Sequence, residues 1–320
     1  MRVPVKTLLT RFSLDPTDFE NLAHECGLES LDKPVRAPFR DPKFLRFIRH
    51  PKVLRLIRQE QRTHWKLLKD YLDQLGFWKA DRVAIVDVGW QGTVQDALTY
   101  AFEELPDWPR LFGFYMGVLG DIPVGQTPRS SYEGLLFQNG GHPVEKASIR
   151  RFIELFELGA NAPHATATEL KQDPETGRVV PALKDDNSQS RQEERQNRDL
   201  TTRLQAGVFD FAEAYAQVLP FLEYPASRHT DFFLAQLDRF LRLPRAVEGR
   251  AFSRYQHVDD FGLDTLRKSY LPEFKSPTWF NRAKALSGER LWPEATLASY
   301  GGFLMVSLFN LYRIVRTREY

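Results

Sequence analysis

The sequence predicts an α/β fold: a Rossmann-like parallel sheet core with an extensive helical surround and a small β-hairpin. Three observations carry that prediction. The runs "RVAIVDV" (82–88) and "RLFGFYMGVLG" (110–120) are short, β-branched and aromatic, and "TVQDALTYAFEEL" (93–105) lies between them with helical spacing. That order is a strand–helix–strand unit, which winds a parallel sheet. Long amphipathic stretches flank it on both sides, and "TELKQDPETGRVVPAL" (168–183) reads as two strands around a "DPETG" turn.

Taken in order, residues 1–77 read as a helical segment packing on the core. "DPTDFENLAHECG" offers Asp15 as N-cap, Pro16 at the first helical position and Gly27 as a stop. The stretch from His50 to Gly76 repeats the pattern, with Leu54, Ile57, Trp65, Leu68, Leu72 and Leu75 at helical spacing. Its other face carries Lys52, Arg55, Arg58 and Arg62, which reads as a phosphate or nucleic-acid surface or, more simply, as a solvated helix face. Residues 78–145 form the expected core, in which "RVAIVDV" is a buried strand, Val94, Leu98 and Phe102 face inward from the helix, and "SYEGLLFQNGG" adds a third strand. Residues 146–320 read as a mainly helical lobe with the hairpin near 166–183. The wholly polar run 184–199 is expected to open a long helix, because Leu200, Leu204, Val208, Phe211 and Tyr215 continue it as one stripe. A terminal helix is expected from Gly302 to Arg318.

Composition bounds the function classes. The chain has 320 residues, 42% of them hydrophobic and 27% charged, enough for a normal core in one or two domains. A net charge of +2 is too small to argue for nucleic acid. One cysteine, Cys26, excludes an intramolecular disulfide and a cysteine zinc cluster. The N-terminus lacks the apolar core of a signal peptide, and the most apolar stretch, "GGFLMVSLFNLYRIV", is too short to span a membrane and is broken by Asn310 and Arg313. A cytoplasmic protein is expected.

The chemistry concentrates in "VAIVDVGWQGTVQDAL" (83–98). In an open parallel sheet, ligands bind beyond the carboxyl ends of the strands. Asp87 falls at such an end. Gly89 and Gly92 let the backbone turn tightly and approach a ligand, and the helix that follows points its free N–H groups at the loop. Asp87 is the candidate catalytic residue, as a base or as a partner for a metal, hydroxyl groups or an amine. Gly89, Trp90, Gln91, Gly92, Thr93 and Gln95 are the candidate ligand-binding residues, with magnesium as a possible cofactor. The plainer reading gives Asp87 a capping role and Trp90 a packing role. The loop is neither a Walker loop nor a dinucleotide fingerprint, since no lysine follows the second glycine and G-x-G-x-x-G is absent. Secondary candidates are Glu154 and Glu157, one helical turn apart, and His164 in a small-residue loop.

"VAIVDVGWQGTVQ", "LFGFYMG", "FIELFELGANAPHATATEL" and "ERLWPEATLASYGG" together resemble the C-terminal half of a bacterial family. Its members are predicted hydrolases of the haloacid dehalogenase-like superfamily, associated with cell-surface polysaccharide and glycosyltransferase genes. The resemblance runs from about Val5 to Gly302, and "VDVGWQGT" is its most specific part. It implies a place in surface-polysaccharide metabolism. It does not carry phosphatase chemistry, because Asp87 is followed by Val88 and Gly89 and the D-x-D nucleophile motif is absent. "VAIVDVGWQGTVQDAL" is also loosely similar to a phosphoribosyltransferase loop, with Val88 standing where the second acid belongs. Two functions are therefore expected. The first is binding or turnover of a phosphorylated sugar or nucleotide-like molecule at the Asp87–Thr93 loop. The second is a non-catalytic docking module for a glycosyltransferase or a separate hydrolase domain, with nucleic acid the least favoured partner.

Overall fold

Prolines, glycines and acidic caps set where the first helices begin and end. In a computed structural model, which describes residues 2–118, 129–137, 152–187, 189–222, 226–252, 255–258, 267–269 and 292–317, the chain forms two units. One unit comprises residues 1–79, 167–183 and 260–264, and the other comprises 80–166, 184–259 and 265–320. The chain opens with β1 (Arg2–Pro4), α1 (Val5–Arg11) and α2 (Glu20–Glu25). Asp15 accepts the Thr17 N–H at 2.9 Å and starts the 3-10 turn Pro16–Phe19 that leads into α2. Gly27, at φ +86°, ends this region. β2 (Pro34–Arg36) pairs antiparallel with β1, a contact between two very short strands that helical periodicity does not signal. α3 (Pro42–Ile48) is capped by Asp41, and α4 (Pro51–Gln74) by the His50 ring. Val5, Leu9, Phe19, Phe44, Phe47 and Val53 are fully buried together, so this unit has its own core.

The second unit begins with β3 (Arg82–Asp87), α5 (Thr93–Phe102), β4 (Arg110–Gly117) and β5 (Ser130–Phe137). The three strands form a parallel sheet in the order β3-β4-β5, with Asp87 opposite Tyr115 and Tyr115 opposite Gly134. The expected strand–helix–strand unit and third strand are present, and the fold is mixed α/β. Two details depart from expectation. β3 is not a buried strand: Val86 is 77% exposed, because only its Val83–Ile85–Asp87 face is covered, and that in part. On α5, Val94 is 55% exposed, while Gln95, Thr99 and Phe102 are buried. The left-handed turn at Gly92 (φ +65°) sets the helix so that a partly polar face meets the sheet.

Then follow α6 (Ile153–Ala160), β6 (Ala167–Gln172) and β7 (Val179–Leu183). β6 and β7 form the antiparallel hairpin, whose turn is held by the Asp173 carboxylate accepting the Glu175 and Thr176 N–H groups. The hairpin belongs to the first unit. There the Gln74 amide at the end of α4 pairs both ways with the Val179 backbone, each bond 2.8 Å. α7 (Gln189–Val218) does open in the polar run, and α8 (Ala226–Arg242) and α9 (Ala246–Ala251) follow. Of the α7 stripe, Leu200 and Leu204 pack on the core of this unit, whereas Val208 and Phe211 are exposed. β8 (Gln256–Val258) and β9 (Arg267–Ser269) pair antiparallel. α10 (Pro293–Thr317) begins well before Gly302, whose left-handed φ of +67° breaks it into two helical stretches. Trp292 is the centre of this unit's core, met edge-on by Phe152 and Phe252 and at a tilt by Phe240, and its Nε1 donates to the Leu241 carbonyl at 2.9 Å. No helix among the described residues is long and apolar enough to cross a membrane.

Candidate functional site

The loop between β3 and α5 is built by two glycines doing different work. Asp87 is half-buried at the carboxyl end of β3. A side chain on Gly89 would meet the Asp87 carboxylate at about 2.5 Å, so the missing Cβ leaves room for that carboxylate to lie over the loop backbone. Gly92 is the N-cap residue of α5 and adopts a left-handed conformation. Any Cβ on Gly92 would collide with the Tyr132 ring, which covers it. No side chain caps α5, and Gln91 and Thr93 beside its start are exposed. The first N–H groups of the helix therefore have no side-chain acceptor of their own.

Beneath this loop lies a closed polar cluster. Gln95 is fully buried, and its Nε2 donates to Ser130 Oγ at 2.8 Å and to the Ser131 carbonyl at 3.1 Å. Its Oε1 accepts the Tyr115 hydroxyl at 3.1 Å. The Tyr132 hydroxyl donates to Asp96 on the next position of the helix. Burial pushes the Tyr115 phenol up to about 12, with the Asp87 and Asp96 carboxylates adding to the effect. Burial first, and then the hydrogen bond to Asp96, also raises the Tyr132 phenol. Both phenols therefore stay protonated at neutral pH and act as donors. The Tyr115 and Tyr132 rings lie 5.7 Å apart, so the wall beside Asp87 is aromatic.

The expected site residues thus separate by role. Asp87, Gly89, Gln91, Gly92 and Thr93 share one loop at the sheet's carboxyl end. Trp90 turns away into the core of its unit, where its ring meets Phe156 edge-on at 5.6 Å among Phe152, Leu155 and Leu158. Gln95 spends its amide on Tyr115, Ser130 and Ser131. Glu157 is exposed on α6, and the Glu154 side chain lies outside the described residues. His164 is exposed, with its Nδ1 2.8 Å from the Ala165 carbonyl. Among the described residues, no three His, Cys, Asp or Glu side chains gather where they could hold a metal.

Tyr115, Ser130, Tyr132 and Asp96 escaped the sequence reading. One signal points to Tyr115. Gly113 interrupts an apolar strand, and glycine there marks a close approach. A Cβ at Gly113 would collide with Gln95 Oε1 and the Tyr115 ring. No protein-family model matches the chain, and no curated protein matches it either.

Proposed function

We propose that this chain binds a small phosphorylated molecule, a phosphorylated sugar or nucleotide-like ligand, at the Asp87–Thr93 loop. The observation that carries this reading is the start of α5: a helix N-terminus with no side-chain cap, flanked by exposed Gln91 and Thr93, directly beyond the half-buried Asp87. Helix N-terminal N–H groups and the helix dipole favour an anion there, by about 0.3–1 kcal/mol at the surface and up to about 2 when partly buried. Thr93 and Gln91 supply the further donors. Asp87 repels a phosphate at short range, so it meets the other part of the ligand, as acceptor for sugar-type hydroxyls or as base. It is also the carboxylate that could share a magnesium ion with the phosphate, since magnesium is commonly held by one or two carboxylates and substrate oxygens. A Rossmann-like reading of the sheet supports the position, because ligands lie at strand carboxyl ends in such folds. The family resemblance supports phosphosugars of surface-polysaccharide metabolism as the class to test first.

A thermal-shift series on wild type and Asp87→Ala tests this, with phosphosugars, nucleotide sugars and nucleotides, each with and without magnesium. A ligand at about 100 times its Kd stabilises by about 2.7 kcal/mol. The expected outcome is a shift in wild type that shrinks in the variant, where one charge-assisted hydrogen bond worth about 1.5–3 kcal/mol is lost. Equal shifts in both proteins would remove Asp87 from the site.

A second reading, a docking module for a glycosyltransferase or a separate hydrolase domain, is supported by exposed aromatics. Phe209 and Phe221 are 70% and 82% exposed, in the last third of α7 and in the turn beyond it. Capture of such a partner by wild type, lost in Phe209→Ser/Phe221→Ser, would favour it over the ligand site.

A further inference from the structure

The first turns of α4 bear a cationic groove that the proposed function leaves unused. Arg49, Arg55, Arg58 and Arg62, with Pro51 and Leu54, line a concavity of about 680 Å³. It is open to solvent along the helix. At 3.6 residues per turn, Arg55, Arg58 and Arg62 point within roughly 60° of one another and span roughly 10 Å of helix. A solvated helix face ordinarily answers its cations with carboxylates three or four positions away. Here those positions hold Pro51, Lys52, Leu54, Gln59, Gln61, Trp65 and Lys66, besides the arginines themselves. Among the described residues, no carboxylate lies within 4.0 Å of any of the four guanidinium groups. Arg55 and Arg58 therefore repel each other, as do Arg58 and Arg62, and both pairings weaken the helix. The positive end of the α4 dipole lies at one end of the groove, beside Arg49 and Pro51.

We infer that this groove binds the phosphate groups of a small molecule carrying at least two of them. Guanidinium forks bind phosphate oxygens two at a time, and arginine is the side chain that does so at fixed geometry. Pro51 and Leu54 give the ligand's remainder an apolar floor. No aromatic side chain lines the groove, so it lacks the stacking platform that single-stranded nucleic acid uses. The site lies within the first unit and stands independently of the reading of the Asp87 loop.

The test is calorimetric titration of the full chain with inorganic pyrophosphate, at about 50 and about 300 mM salt. The proteins are wild type, Arg55→Ala/Arg58→Ala and Arg55→Lys/Arg58→Lys. The readout is the difference between proteins, so phosphate bound elsewhere cancels. The alanine pair is expected to weaken binding about tenfold or more, and the lysine pair to lose less, because charge is kept while the fork is lost. All four arginines are exposed, and matching circular-dichroism melts establish that the variants fold; Arg62→Ala is the alternative if the pair does not. Equal pyrophosphate affinity in wild type and the alanine pair overturns the inference. So does tighter binding of a short single-stranded RNA or DNA than of pyrophosphate with a steeper salt dependence, which would make the groove a nucleic-acid surface.

Discussion

Gln95 Nε2 donates to Ser130 Oγ at 2.8 Å, a buried hydrogen bond that joins the first turn of α5 to the start of β5. With Tyr115 of β4 on its Oε1, the same amide ties the helix to two strands of the sheet. The loop that carries Asp87 enters α5 directly above this joint, so its geometry depends on an interaction that touches no ligand.

Gln95→Leu keeps the volume and removes the amide. Ser130 Oγ and Tyr115 OH each lose a partner in a dry environment, and the Ser131 carbonyl loses a part-buried one. Buried groups left this way cost about 1–3 kcal/mol apiece. We expect a loss of at least about 2 kcal/mol in urea unfolding, with Gln95→Glu also destabilising because it exchanges the amide donor for a charge. An unchanged midpoint would mean that water replaces the amide and that the joint does not hold the loop.

Gly92→Ala is expected to harm both stability and the loop. The residue sits at φ +65°, where a Cβ costs about 1–2 kcal/mol, and the added methyl group meets the Tyr132 ring, adding about 1–3 kcal/mol of overpacking. Gly92→Ala combined with Tyr132→Leu should recover part of the loss by removing the ring's edge. A double-mutant cycle measures this coupling, and strict additivity would show that the backbone strain acts alone.

Glu294, in the first turn of α10, is fully buried, and burial pushes its carboxyl up to about 8 against the pull of Arg242. The folded state therefore binds a proton more tightly than the unfolded state does. The stability this contributes is complete below the unfolded value of 4.5 and is lost as pH rises through about 8. Between pH 4.5 and 7 the loss is roughly 3 kcal/mol at about 1.4 kcal/mol per pKa unit. Glu294→Gln should remove this slope, so that the difference in stability between wild type and variant changes steadily across the window and levels off above it. A pH series of urea midpoints reads that difference, and parallel curves would show that Glu294 ionises freely in the fold.

Glu194 has the opposite sign. Burial raises its carboxyl, but hydrogen bonds from Lys184 and Thr166 and the pull of Arg191 outweigh this and hold it below its ordinary value. Its contribution is present above pH 4.5 and fades as pH falls through the folded value. Glu194→Gln is expected to cost about 1.5–3 kcal/mol near pH 7, the range for hydrogen bonds to a charged group. The gap to wild type should close in acid, and melting temperatures of both proteins near pH 7 and pH 3 check it.

Much of the frame was legible because local signals coincide with local structure. Pro16 and Pro51, Gly27 and Gly76, and the Asp173 turn mark ends that depend on a few neighbouring residues. The sheet was legible because β-branched runs on either side of a helical one leave few topologies. The β1–β2 pair was not, since three residues per strand carry no measurable period. The candidate site divides in the same way. Asp87, Gly89 and Gly92 announce a loop by residue type alone. The roles of Trp90 and Gln95 depended on which way the helix turned after Gly92.

Local residue types suffice for the strand–helix–strand order of residues 82–117, the turn at Gly89–Gly92 and the position of Asp87 at a strand end, because each rests on interactions within a few residues. That Trp90 fills a core, that Val94 faces outward and that Gln95 faces in follows from long-range packing. Those choices rest on Tyr115, Ser130 and Phe156, residues distant in the chain whose hydrogen bonds and ring faces meet the loop only once the sheet and helices have packed.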